Sequence, residues 1–386
     1  MTKTAVFSIL FSLCISIFNL HAQNETCKLS GEVINRVNSK SLILLTELED
    51  TRTAKGVQIP IVNNRFEYSF TAPYMMRYRL YFDDEINSGS GSCISFFPYN
   101  GVVDFKLYSQ EEIESGKSRN VINGAGLNKV ETNYQQLTDS LFKELNNTAD
   151  IIFSGKILNS VDSLKLQIKF DSLRQIKTRW ECEYIKNNID EFSYSMIYDK
   201  FDLYKINKNE VDIDFLIKIF PKYKKRFPVH PYTIAIQQII NAYTQVIVGN
   251  KYPDFEATTL VGKQRNISSI ISGKIALIDL WASWCGSCRR LSKSVIPIYE
   301  KFKEEGFTVV GIACEFNNTE SMKKALEKDK YPWLNLVELD NKNKIWEKYG
   351  ISRLGGNTFL VDKDGTILAV HPTADELENI LSKKIK

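Results

Sequence analysis

A chain of 386 residues exceeds one ordinary domain and allows roughly two or three. Apolar residues make up 43% and charged residues 25%, the balance of a chain that buries sizeable cores, which excludes a disordered tail protein, a collagen-like fibre and a polytopic membrane protein. Fifty basic against 46 acidic residues leave a net charge of +4, too small for a footprint on nucleic acid or acidic lipid, and only three histidines argue against a His-rich metal site.

The chain opens MTKTAVFSILFSLCISIFNLHAQ: Lys3, an apolar stretch over 5–18, and small Ala22 before the next charge at Glu25. This reads as a secretory signal peptide over residues 1–22, with an uncleaved anchor as the alternative. Cys14 reads as apolar filler, since bulky Leu13 precedes it where a lipoprotein site wants a small residue. The mature chain is expected in the periplasm, exported, without stable membrane insertion after cleavage, where disulfides persist. Six cysteines remain: Cys27, Cys93, Cys182, Cys285, Cys288 and Cys314. That is too sparse for a disulfide-stapled miniprotein.

Residues 23–126 are expected to form a β-sandwich-like domain. CKLSGEVI, SLILLTEL, RFEYSF, MRYRLYF, CISFF and GVVDFKL are short runs rich in β-branched and aromatic residues. Phe66, Tyr68 and Phe70 alternate with Glu67 and Ser69, and Val62-Asn63-Asn64 and Asn87-Ser88-Gly89-Ser90-Gly91 read as turns. Cys27 and Cys93 each begin a run, so a bridge between them and two free thiols are both open. Residues 127–248 are expected to be a helical segment, with Tyr134, Leu137, Leu141 and Leu145, then Leu173, Ile176, Trp180 and Tyr184, at helical spacing. These stripes, and Cys182 among them, read as packing, and Lys222-Tyr223-Lys224-Lys225-Arg226 as a solvated helix end.

Residues 249–386 alternate strand and helix. ALIDLW is a buried strand, CGSCRRLSKSVIPIYEKFKEEG a helix, FTVVGIAC a second strand and SMKKALEKD a second helix; NTFLVD and TILAV flank the turn Lys363-Asp364-Gly365, and ADELENILSKKI closes the chain after a capping box at Thr373 and Glu376. The order β-α-β-α-β-β-α is a compact α/β domain with a mixed sheet.

Trp281-Ala282-Ser283-Trp284-Cys285-Gly286-Ser287-Cys288 lies where the buried strand hands over to the helix. Two thiols three residues apart at a helix start can close a disulfide across one turn. Unpaired N–H groups and the helix dipole stabilise a thiolate at the first, making Cys285 the nucleophile. Cys288, expected deeper, resolves the mixed disulfide. A purely structural disulfide and half a zinc site are the alternatives, the latter wanting a second Cys/His pair that the chain lacks. Asp279, six residues before Cys285 in an apolar strand, is costly unless hydrated, paired or neutral. Cys314, at the end of the next strand, is a candidate third thiol, against the plainer reading of a buried apolar cysteine.

On WASWCGSCRR, Lys251-Tyr252-Pro253-Asp254-Phe255 and NTFLVDKDG, the last third of the chain resembles the thioredoxin fold of the exported TlpA/ResA-like thiol–disulfide oxidoreductases. The upstream β domain and helices, on pieces such as CISFFPYNG, resemble the amino-terminal extension of such proteins in Bacteroidetes. The resemblance implies a buried Asp at position 279 that moves a proton to or from the resolving thiol, its pKa raised by desolvation; an Asp at the strand end reaching water is the alternative. It implies a substrate groove shaped by Trp281, Trp284, Gly286, Ser287, Gly356 and Asn357. Two departures stand out: Gly356 occupies the family's cis-proline position, and Gly286-Ser287 replaces Gly-Pro between the thiols. Implied partners are cysteine-containing exported proteins, apocytochromes in some relatives, and a membrane electron donor working in the reductive direction. No nucleic acid, metal or organic cofactor is expected. A redox-inactive binding protein with a degenerate domain, and a thiol peroxidase, are the rival functions.

Overall fold

A computed structural model describes residues 25–88, 92–154, 160–206, 211–351 and 355–385. The leader expected over 1–22, and Gly89, Ser90 and Gly91 of one expected turn, lie outside them.

The first unit is a sandwich of two four-stranded sheets. One runs β4–β1–β7–β8, from strands β1 (Glu25–Ile34), β4 (Arg65–Ala72), β7 (Gly101–Tyr108) and β8 (Val121–Asn123); the other runs β3–β2–β5–β6, from β2 (Ser41–Thr46), β3 (Val57–Pro60), β5 (Tyr78–Phe82) and β6 (Ile94–Phe96). Short helices α1 (Asp83–Ser88) and α2 (Gln110–Glu114) fill two connections. Asn87 and Ser88, expected in a turn, therefore end α1; three acidic residues in its first turn favour the helix. Asn63 and Asn64 both take positive φ (51° and 59°) in the two-residue hairpin after β3, where Val62 and Arg65 exchange both backbone hydrogen bonds. β3 and β8, of four and three residues, are too short to carry a period and were not anticipated. Cys27 is buried and Cys93 exposed, and both are free thiols. Cys27 lies in β1 and Cys93 just before β6 of the other sheet, and the open alternative of a bridge between them is not realised.

Six helices follow: α3 (Leu127–Leu141), α4 (Lys143–Phe153), α5 (Ser160–Asn187), α6 (Glu191–Ile206), α7 (Ile213–Arg226) and α8 (Pro231–Gln245). Phe192, Tyr194, Phe201 and Ile236 from the helices and Leu29, Leu80, Phe82 and Phe105 from the sandwich belong to one apolar core. Asn128 of α3 accepts from the Phe97 N–H (2.8 Å) and donates to the Phe97 carbonyl (2.7 Å), tying the helices to the end of β6. The expected stripes are only partly buried. Leu137, Leu141 and Ile176 are exposed, whereas Tyr134, Trp180 and Tyr184 pack together. Burial concentrates where α5 nears the body, at Cys182 and Ile185, while Leu164 and Ile168 near its start stay in solvent. Lys224, Lys225 and Arg226 form the basic last turn of α7.

The C-terminal unit is a seven-stranded sheet ordered β10–β9–β13–β12–β11–β14–β15. Its elements in chain order are β9 (Glu256–Thr259), β10 (Gln264–Asn266), α9 (Ile267–Ile271), β11 (Ile275–Trp281), α10 (Gly286–Phe302), β12 (Phe307–Glu315), α11 (Glu320–Asp329), β13 (Leu334–Leu339), α12 (Ile345–Lys348), β14 (Asn357–Val361), β15 (Ile367–Val370) and α13 (Ala374–Lys384). β11, β12 and β13 run parallel, and β14 pairs antiparallel with β11. The anticipated β-α-β-α-β-β-α series is present, enlarged by the β9–β10 hairpin, α9, β13 and α12. β11 is buried along its whole length, as a strand covered on both faces must be. Thr373 and Glu376 form the expected capping box of α13. This is the thioredoxin-like α/β arrangement, preceded by a β-rich unit with helices between.

Candidate functional site

β11 ends at Trp281, and four residues later Cys285 caps α10, its sulfur accepting from the Cys288 backbone N–H at 3.3 Å. The two thiols are joined as a disulfide across the first turn. Ser287 Oγ lies 3.5 Å from the Cys285 sulfur. The order of burial differs from expectation: Cys285 is 5% exposed and Cys288 half-buried. Cys285 belongs to a buried apolar cluster with Trp346, Ile351 and Phe359.

The Gly355–Gly356 segment lies against the pair. The Gly356 N–H donates to the Cys288 sulfur at 3.2 Å. A Cβ at Gly356 would collide with the Leu280 carbonyl oxygen, and one at Gly355 would sit 3.8 Å from the Cys285 sulfur. Glycine at 356 therefore keeps the backbone against β11, where a side chain has no room. None of the described peptide bonds is cis. Asn357 begins β14 opposite Leu280, its side chain accepting from the Thr358 N–H. Gly286, Ser287 and Trp284 are exposed, Trp284 by 44%.

Trp281, expected at the surface beside the thiols, is instead wholly buried. Strand alternation puts it on the same face as Asp279, and its indole N–H donates to Asn335 Oδ1 (3.1 Å) while its ring meets Tyr331 edge-on. Gly311, opposite Asp279 on β12, leaves space for that Asn335 side chain.

Asp279 is 3% exposed. Its Oδ2 accepts from Ser292 Oγ (2.7 Å), and the same hydroxyl lies 3.0 Å from the Cys288 carbonyl one turn earlier in α10. Burial pushes its carboxyl up to about 7, opposed only by the Ser292 hydrogen bond, with no basic side chain contributing. Cys314 is buried in the same cluster as Cys285; burial pushes its thiol up to about 12, so it is protonated at neutral pH.

Sequence reasoning missed the brackets that hold the turn before Cys285. Glu315, at the end of β12, accepts from the Ser283 N–H (2.8 Å) and hydroxyl (2.7 Å). Arg289 donates to the Ser283 carbonyl (3.3 Å) and pairs with Asp329 (2.5 Å), which also holds Lys293 (2.8 Å). Ser292 could have been found, since it stands one helical turn after Cys288. Glu315 had a weaker signal, an acid closing an apolar strand. From the first unit, the Arg52 guanidinium lies over Phe316 (4.3 Å) and Trp284 (5.6 Å). Among the described residues, no group of three or more His, Cys, Asp or Glu side chains is placed to hold a metal ion.

Comparisons with known proteins converge on this unit. The AhpC/TSA family matches residues 248–370. The thiol–disulfide oxidoreductase ResA of Bacillus cereus is 30% identical over 142 residues, covering 35% of this chain and 78% of that protein. The thiol:disulfide interchange protein DsbE of Allochromatium vinosum is 30% identical over 124 residues, covering 31% of this chain and 64% of that one. The crystal structure of the thioredoxin domain of a thiol–disulfide oxidoreductase from Bacteroides vulgatus aligns with 36% of this chain and 99% of its own, at 29% identity and a TM-score of 0.33. With two thiols closed across the first turn of α10, and ResA matched over more than two thirds of its length, the chain belongs to the ResA family of thiol–disulfide oxidoreductases.

Proposed function

We propose that this oxidoreductase reduces disulfides in cysteine-containing exported proteins through Cys285 and Cys288. The observation that carries the reading is the dithiol at the start of α10 with Asp279, a buried acid without a basic partner among the described residues, linked through Ser292 to the Cys288 carbonyl.

In the reduced chain the Cys285 thiolate, favoured by the α10 N-terminus, attacks one sulfur of the substrate disulfide. A Cys285–substrate bond forms, and the other substrate sulfur leaves as a thiolate and takes a proton. Cys288 then gives its proton towards Asp279 and attacks the Cys285 sulfur. The Cys285–Cys288 bond forms, the mixed disulfide breaks, and the second substrate sulfur departs and is protonated. Two electrons have passed to the substrate. An acid with its pKa near 7 suits this exchange, because it accepts and returns a proton with little bias. Ser292 positions Asp279 against the Cys288 turn. A membrane electron donor reduces the pair again. The leader over residues 1–22 directs the chain to the periplasm, and among the described residues no helix is long and apolar enough to cross a membrane. The amino-terminal unit is read as the kind of extension that accompanies such domains in Bacteroidetes.

The test is a redox titration of the full mature chain in glutathione buffers, with Cys285 and Cys288 scored by alkylation and mass spectrometry. A midpoint near roughly −250 mV or lower supports the reductase, and one near about −120 mV reverses the direction to oxidant. A pair that never exchanges leaves a binding protein. Peroxide consumption by the reduced chain would favour the peroxidase reading instead.

A further inference from the structure

The dithiol does not face open solvent alone. On one side, a cavity of about 460 Å³ touches Trp284, the residue before Cys285, and Cys314 and Phe316 at the end of β12. A second, of about 380 Å³, touches Gly355, Gly356 and Asn357, the segment that hydrogen-bonds Cys288. Both have an outer wall from the amino-terminal unit: Tyr198, Ile234 and Ala235 at the first, Tyr204 and Tyr243 at the second. They share Lys205, Ile239 and Ile351, so they adjoin; neither is lined by Cys285 or Cys288, and they approach the dithiol through Trp284 and the Gly355–Asn357 segment.

The wall is built rather than incidental. α8 meets the end of α12 closely enough that a Cβ on Gly350 would lie 3.2 Å from the Ala242 Cβ. At the Trp284 end, Arg52 is held by Asp50 (Nε to Oδ1 3.1 Å, Nη2 to Oδ2 2.8 Å), with its guanidinium over the Phe316 and Trp284 rings. The charged residues lining this end are evenly divided, Glu49, Asp50 and Glu347 against Arg52, Lys205 and Lys344. Such a lining suits neither a small anion nor a cation. Aromatic and aliphatic surface with scattered polar groups suits a polypeptide.

We propose that the amino-terminal unit forms the outer wall of the substrate groove, so that the substrate is an extended polypeptide segment. Its target cysteine meets Cys285 while a bulky apolar neighbour fills the cavity between α8, Arg52 and Trp284. This deepens, and rests on, the exchange reading above. Burial of Cys285 in its own cluster makes access along these cavities the step at which substrates are sorted.

The test compares two oxidants on the full reduced chain: oxidised glutathione, and a short unstructured peptide closed by one disulfide with a tryptophan beside a cysteine. Ile234→Glu and Ala235→Trp alter the α8 wall, and Arg52→Ala removes the guanidinium; Ile234 is exposed, so its change is compatible with folding, while Ala235 is half-buried against the core and its variant is used only if thermal unfolding stays cooperative. The expected result is a peptide-to-glutathione rate ratio lowered by about tenfold in at least the α8 variants that are used. A ratio equal to the parent's, whether both rates hold or both fall, overturns the wall. A parent chain inert towards both oxidants sinks the exchange reading itself, an outcome recognisable because it precedes any substitution.

Discussion

Two buried carboxyl groups, one in each unit, are both pushed up to about 7 and have opposite surroundings. Glu47, beside β2, meets Arg77 (2.9 Å) and Arg79 (3.0 Å) and accepts from the Tyr232 hydroxyl. Arg77 reaches further to Asp199 (2.5 Å) and Glu131 (3.3 Å). Its partners come from the residue after β2 and from α3, α6 and α8, so this network pins the sandwich to the helices. Among the described residues, Asp279 has a single hydroxyl partner and no cation. A buried acid among arginines has its charge met by its neighbours, and the structure depends on that pairing. One left with a hydroxyl is free to change state, which a protein tolerates where the change is used.

The comparison is sharpened first by removing the chemistry. Cys285→Ser should abolish disulfide exchange in a glutathione or peptide assay while thermal unfolding stays cooperative; retained turnover would separate the dithiol from the activity. Next, Arg77→Ala should strip Glu47 and Asp199 of their main cation and cost about 3–5 kcal/mol in denaturant unfolding. The exchange rate of the remaining folded protein should hold, and a loss of rate without loss of stability would join the two regions functionally.

Asp279→Asn should slow resolution of the mixed disulfide by about a hundredfold in single-turnover alkylation traps. The parent rate should fall as pH drops through about 7, where Asp279 becomes protonated and can no longer take the Cys288 proton, and the variant should lose that inflection. Stability should move the other way. The folded-state pKa is raised, so the stability linked to this group is full below the ordinary 3.8 and lost as pH rises through about 7. The variant should therefore gain at pH 8 and not at pH 3, with a ceiling of about 4 kcal/mol. A variant destabilised at pH 8 would put Asp279 in the same class as Glu47. The smallest effect is expected of Cys314→Ala: exchange unchanged, and stability lowered by about 1 kcal/mol for the lost packing. In the native reduced chain a thiol reagent should label exposed Cys93 and spare Cys314.

Much of this site could be read along the chain because its parts are close in sequence. Cys285 and Cys288 need only one helical turn, and Asp279 only the strand before it. Trp281 was legible too: two residues from Asp279 on a strand, it had to share that buried face, and the tryptophan-rich motif obscured the alternation. β3 and β8 escaped because four and three residues hold few alternations to separate a strand from a loop. Tyr134, Trp180 and Tyr184 were placed in packing correctly, while Leu137, Leu141 and Ile176 at the same spacing were not, since period does not say which part of a long helix reaches the body.

What lay beyond local pattern was the pairing of distant residues, apart from Gly356 beside the dithiol, which the family resemblance implied. Spacing, alternation and capping are short-range, and they suffice for the dithiol, the strand–helix junction and the α/β order. The Ser283–Glu315 bracket joins residues 32 apart and depends on β12 lying beside β11. The placing of Arg52 over Trp284 and Phe316, and the network about Arg77, depend on how the parts of the chain meet. Apolar burial drives that meeting and is non-directional, so the chain's own order carries no record of which surfaces face each other.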